Sequence, residues 1–208
     1  DLAKDLKPKE ERKIEYTTTT WKDLKFKYDK EIKVDKRNSS GYYGYYDSIS
    51  FGLYTIVGDV RDDTGDGSIQ IGCDKNEFNH TLYEIFEEYK AINTVSWRND
   101  LFKNRYPIYL NNGTDVVLNH EQMIELSKNK KVTANGITIN SSNYDFSNVE
   151  CRDVENIKIN GIDAITWNEY ADKMYIFEYK ENIYDIRTSN EINANQRVDE
   201  FINNIEFL

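Results

Sequence analysis

Alternating apolar and polar positions dominate the C-terminal third of the chain, from Val154 to Leu208. Ile157–Ile159 and Ile162–Trp167 are apolar runs separated by Asn160-Gly161. Asn-Gly accepts positive φ at both central positions of a two-residue turn, so the pair predicts a tight hairpin. In Met174–Tyr179, Tyr175, Phe177 and Tyr179 share one face, and Met174 and Ile176 share the other. After the polar break Lys180-Glu181-Asn182 a further strand is expected over Ile183–Arg187. Thr188 and Glu191 have capping-box spacing. Val198, Phe201, Ile202 and Ile205 then recur at i, i+3, i+4, i+7, which predicts one buried face of a helix.

Upstream the period is also mostly two. Tyr16–Trp21 reads as an edge strand, and Leu24, Phe26 and Tyr28 alternate with lysines and an aspartate. Asn38–Gly41 breaks the chain, and a long strand is expected from Tyr45 to Val60. The simplest unit is a hairpin of Phe51–Val60 against Ser68–Cys73, with a polar tip between. Asp74 and Glu77 again have capping-box spacing, and Phe78, Leu82, Ile85, Phe86 and Tyr89 predict a helix to about Ala91. Val95–Leu110 reads as strand-rich, broken near Pro107. Asn119 opens a short helix, and Asn135-Gly136 marks another turn. Hairpin signals outnumber any βαβ signature. The expected class is therefore α+β, a mostly antiparallel sheet flanked by helices. Residues 1–15 form a charged lead-in, and residues 16–208 read as one domain; a sub-boundary near 111 is the alternative, though no flexible linker marks it.

Composition changes this picture in two respects. Apolar content is only 38 %, so 16 Tyr, 9 Phe and 3 Trp must supply much of the core. The formal charge of −10 argues against nucleic acid, whose phosphates need clustered Lys and Arg. No stretch is long and apolar enough to span a membrane as a helix. Were an anchor or targeting segment to precede Asp1, residues 1–15 would be its tether, and the protein would be extracytoplasmic. Cys73 and Cys151 stand outside any CxxC, so a disulfide and two buried free thiols both remain open.

Two stretches carry a family likeness. Leu24-Lys25-Phe26-Lys27-Tyr28-Asp29 resembles the opening strand of the PsbP-like group, with Asp29 where that family usually has proline. The final unit is similar too: the Ile159-Asn160-Gly161 hairpin, Tyr175–Tyr179, Ile183-Tyr184-Asp185-Ile186 and the end at Ile205-Glu206-Phe207-Leu208. Together they cover roughly a third of the chain. The resemblance implies a sheet sandwiched by helices and a docking or assembly role on membrane complexes, as in extrinsic photosynthetic subunits and bacterial exported proteins. It implies no catalytic residues.

Candidate chemistry is sparse. Asp62-Asp63-Thr64-Gly65-Asp66-Gly67 places Asp62 and Asp66 at calcium-loop positions 1 and 5, but Thr64 holds position 3 and Cys73 stands where the bidentate Glu belongs. Asp and Gly also favour hairpin tips on their own account. Tyr42, Tyr43, Tyr45 and Tyr46 flank Gly44 as an aromatic contact surface, or pack on both faces of a sheet. His80 and His120, the only histidines, lie in no ligand spacing and read as surface or capping residues. Glu87-Glu88 and Asp62-Asp63 are acidic pairs; adjacent residues on a helix point apart, and such pairs are common in a chain this acidic. P-loop, GxGxxG and GxSxG motifs are absent. The expected function is non-enzymatic: an exported or membrane-tethered bacterial protein that binds a protein partner in the cell envelope, without a cofactor. Its rivals are a calcium-binding module built on Asp62 and Asp66, and a carboxylate-dependent hydrolase.

Overall fold

The computed structural model describes residues 14–37, 47–52, 55–57, 60–62, 68–76, 79–95, 106–144, 150–169, 172–189 and 195–208. In chain order these form β1 (Tyr16–Trp21), β2 (Leu24–Asp29), β3 (Lys33–Arg37), β4 (Asp47–Gly52), β5 (Thr55–Val57), β6 (Val60–Asp62), β7 (Ser68–Lys75) and α1 (Leu82–Val95). There follow β8 (Tyr106–Tyr109), β9 (Asp115–Leu118), α2 (His120–Asn129), β10 (Val132–Ala134), β11 (Ile137–Ile139) and β12 (Arg152–Ile159). The chain ends in β13 (Ile162–Glu169), β14 (Asp172–Tyr179), β15 (Asn182–Ser189), α3 (Asn195–Asn203) and β16 (Glu206–Phe207).

A seven-stranded sheet in the order β12-β13-β14-β15-β7-β4-β3 organises the rest, and every pairing in it is antiparallel. Its pleat divides the apolar residues between two faces. On one face Ile49, Phe51, Ile69, Ile71, Cys73, Tyr175, Phe177, Tyr184 and Ile186 meet a cover of β1, β2 and α3. Phe26 stacks on Phe201 at 5.7 Å, and Phe201 meets Phe51 at 4.7 Å. On the other face Ile165, Trp167, Met174, Ile176 and Ile183 pack against α1, α2 and the hairpins β8–β9 and β10–β11.

This corrects the expected α+β class. Among the described residues sixteen strands outweigh three short helices, so the fold is β-rich. Much of each covering layer is itself strand: the sheet β1-β2-β16 on one face and two short hairpins on the other. Strands of three or four residues, such as Val132–Ala134, are too short to show a period and are easily taken for turns.

Several local expectations are revised as well. β4 and β7 do pair, Phe51 opposite Ile69, but between them β5 and β6 form a hairpin of their own, Val57 opposite Val60. Thr188 caps no helix: it lies in β15, its hydroxyl donates to the Lys173 carbonyl at 3.0 Å, and α3 begins at Asn195. Asp74 likewise lies in β7, and α1 is capped downstream by Thr81 and Glu84.

The Asn160-Gly161 turn is as expected, with φ of 46° and 90°. Asn160 Nδ2 also donates to the carbonyls of Asn203 and Ile205, tying this hairpin to the end of α3. Gly161→Ala would force a side chain into left-handed backbone. It is expected to cost about 1 kcal/mol, read as a lower urea midpoint at unchanged slope.

Candidate functional site

α1 and α2 pack on each other, and the residues before and at their N-terminal ends are neighbours. At the end of β7 the buried Asn76 holds the turn that precedes α1. Its Oδ1 accepts from the His80 amide at 2.9 Å, and its Nδ2 donates to the His80 carbonyl at 2.9 Å and to Glu178 Oε1 at 3.1 Å. Asn79 takes φ 51° to complete the turn, which Asn tolerates better than most residues. Thr81 and Glu84 then close a capping box, with Glu84 Oε2 accepting from the Thr81 amide at 2.8 Å and hydroxyl at 2.9 Å. These two bonds, the amide first, hold the Glu84 carboxyl below the usual range, with smaller help from His80 and His120.

At α2 the expected start is found. Asn119 is the N-cap, its Oδ1 accepts from the Gln122 amide at 2.9 Å, and Gln122 Oε1 accepts from the Asn119 amide at 3.0 Å. Asn119→Ala is expected to cost about 1 kcal/mol, checked by chemical denaturation.

The packing of α1 on α2 sets His80 and His120 against each other. Their ring centroids lie 4.1 Å apart at an interplanar angle of 32°. The pair lines a cleft of about 450 Å³ with Tyr83, Glu84, Glu87, Glu121, Ile124 and Lys128. Tyr83 is 62 % exposed at the rim. Glu87 is buried in the wall, where Lys90 approaches to 2.7 Å and Lys128 to 3.8 Å, so it joins α1 to α2. Two like charges about 4 Å apart repel by about 1 kcal/mol in water, and by about 4 kcal/mol at an effective dielectric constant of 20. The histidine pair is therefore a contact that charge can disturb.

The pair supplies two imidazoles tilted by 32° to each other. Among the described residues no group of three His, Cys, Asp or Glu side chains is placed to hold a metal. Of the calcium candidates, Asp62 lies at the end of β6 with its backbone opposite Thr55, and Asp66 is outside the described residues. Tyr42, Tyr43, Tyr45 and Tyr46 are outside them too.

The cysteines are free and face opposite sides of the sheet: Cys73 packs with the layer of β1, β2 and α3, and Cys151 with that of α1 and α2. Neither is prepared as a nucleophile. Burial pushes the Cys151 thiol up to about 12, and the neighbouring Glu169 adds to this. Burial pushes Cys73 up to about 11, against a partial offset from Tyr184 and Lys22. Glu87 of the acidic pair is spent on its lysines.

The histidine stack is the feature that sequence reasoning missed. Each ring stands beside a helix cap, and that was the visible signal; nothing in the spacing says the two caps meet. Neither a protein-family model nor a curated protein matches this chain.

Proposed function

We propose that this chain is a non-enzymatic binding protein and that the α1–α2 cleft receives a protein partner. The observation that carries the reading is the exposed Tyr83 ring above a cleft walled by the stacked imidazoles and by Glu84, Glu87 and Glu121. Tyrosine suits a contact hot spot because it is large, rigid and polar at one end. With Glu87 paired to Lys90 and Lys128, Glu84 and Glu121 leave the lining acidic, which favours a basic side chain from the partner. Placement in the cell envelope, exported or tethered through the charged residues before Tyr16, belongs to the same proposal; its support is the charge pattern of that lead-in and the PsbP-like residues.

The test is a photo-crosslinker placed at position 83 and, as control, at exposed Val117 in β9, followed by fractionation of the cell envelope. A discrete adduct from position 83 alone is the expected result. Tyr83→Ala is expected to weaken the captured partner's binding by about 2 kcal/mol, roughly 30-fold. Equal adducts from both positions would remove the cleft from the proposal.

A further inference from the structure

We propose that the His80–His120 stack is a proton-operated latch on the cleft: the stacked pair accommodates one proton, and a second proton parts the rings. The consequence, release of a basic partner in acid, rests on the reading of the cleft as a partner site; the latch itself does not. Geometry carries it. The rings are 4.1 Å apart, and the backbone that carries each of them is held by a cap: the His80 amide donates to Asn76, and Asn119 caps the helix that His120 opens. The groups around the pair pull in opposite directions. Glu84 and Glu87 on α1 and Glu121 on α2 favour the first proton, as does Glu178 of β14 through Asn76. Lys128 on α2 opposes the second, as do the positive N-terminal ends of both helices. Tyr83 closes the rim.

A neutral or singly protonated pair can stack, because a neutral ring presents its π face to an imidazolium. A doubly protonated pair loses that attraction and gains repulsion at contact distance. Protons are therefore taken up in two steps that belong to the pair and not to either residue. The parted rings leave the inner end of the cleft wider and positively charged, so a basic side chain bound there would be expelled.

The experiment is a histidine NMR titration of the whole chain, without any partner, from about pH 8 to about pH 4. The Cε1–H signals of both rings and the ring-to-ring NOE are followed together. Two steps separated by more than about one pH unit are expected, a tenfold difference in proton affinity. The NOE should survive the first step and vanish in the second. In His80→Gln, His120 should titrate in a single step above the lower step of the parent, and His120→Gln should do the converse for His80. If a Gln variant does not fold, the Asn variant and the NOE in the parent decide. An NOE that persists through both steps overturns the proposal. So does a midpoint for each histidine that is unmoved by removal of the other. Failure here leaves the crosslinking result standing, and absence of a partner leaves the titration standing, so the two readings fail separately.

Discussion

Trp167→Ala is expected to lower the unfolding free energy by about 3–5 kcal/mol, the range for deleting a large aromatic from a packed core. Trp167 is 1 % exposed in the middle of β13. Phe86 meets it at 4.9 Å and Tyr89 at 5.0 Å between centroids, so two core residues of α1 pack on this ring. Its indole Nε1 donates to Glu169 Oε1 at 2.7 Å in a buried setting. Truncation thus removes the packing and also takes a donor from a carboxylate that is 5 % exposed. Trp167→Phe separates the two effects. It keeps most of the ring and loses the N–H, and is expected to cost about 1–3 kcal/mol. Urea denaturation followed by far-UV circular dichroism gives both values. A loss below about 1 kcal/mol for the alanine variant would mean that α1 is not held by this contact. The prediction also touches function, because α1 carries one wall of the cleft. Trp167→Ala should weaken the ring-to-ring NOE of His80 and His120 even where the protein remains folded.

What could be read from the sequence was local. Asn160-Gly161 and Asn135-Gly136 announce their turns because few other pairs accept positive φ there. Val198, Phe201, Ile202 and Ile205 announce α3 because burial on one side imposes the helical period, and all four are buried against the sheet. Asn119 announces α2 by its cap. The central sheet order was not legible. Cys73 lies opposite Tyr184 through a pairing of β7 with β15, far apart in the chain, and no local signal specifies such a partner. The capping boxes expected at Thr188 and Asp74 show the converse error. Spacing of Thr or Asp with Glu is common, and at both places a strand hydrogen bond claims the residue first. The candidate site failed for the same reason as the sheet order. Each histidine beside its cap has a bland local reading, and only the packing of α1 on α2 makes them neighbours.

Raising the pH from about 8.5 to about 11 is expected to remove several kcal/mol of stability, because the fold buries groups that the unfolded chain ionises in this range. Cys73 is held up at about 11 and Cys151 at about 12, in both cases chiefly by burial, against 9.0 for an unperturbed thiol. Tyr175 and Tyr184 are pushed up as well, again mainly by burial, with Asp199 adding at Tyr175 and Cys73 at Tyr184. The sign follows from proton counts. Below about pH 9 folded and unfolded chains both keep these protons, and the contribution is fully present. Above it the unfolded chain releases them while the folded chain retains them, so stability falls with pH until the folded values are reached. At about 1.4 kcal/mol per pKa unit, Cys73 alone accounts for on the order of 2–3 kcal/mol. Denaturation midpoints at about pH 8, 9.5 and 11 measure the fall, and Cys73→Ala should flatten it in part, leaving the share of Cys151 and the tyrosines. The same burial leaves on the order of 100-fold less thiolate at Cys73 than at a free cysteine. Native protein should therefore resist iodoacetamide until it is unfolded. Stability that stays level across this range, or rapid labelling of the native thiols, would show that Cys73 and Tyr184 are reached by water and that this face of the sheet is open.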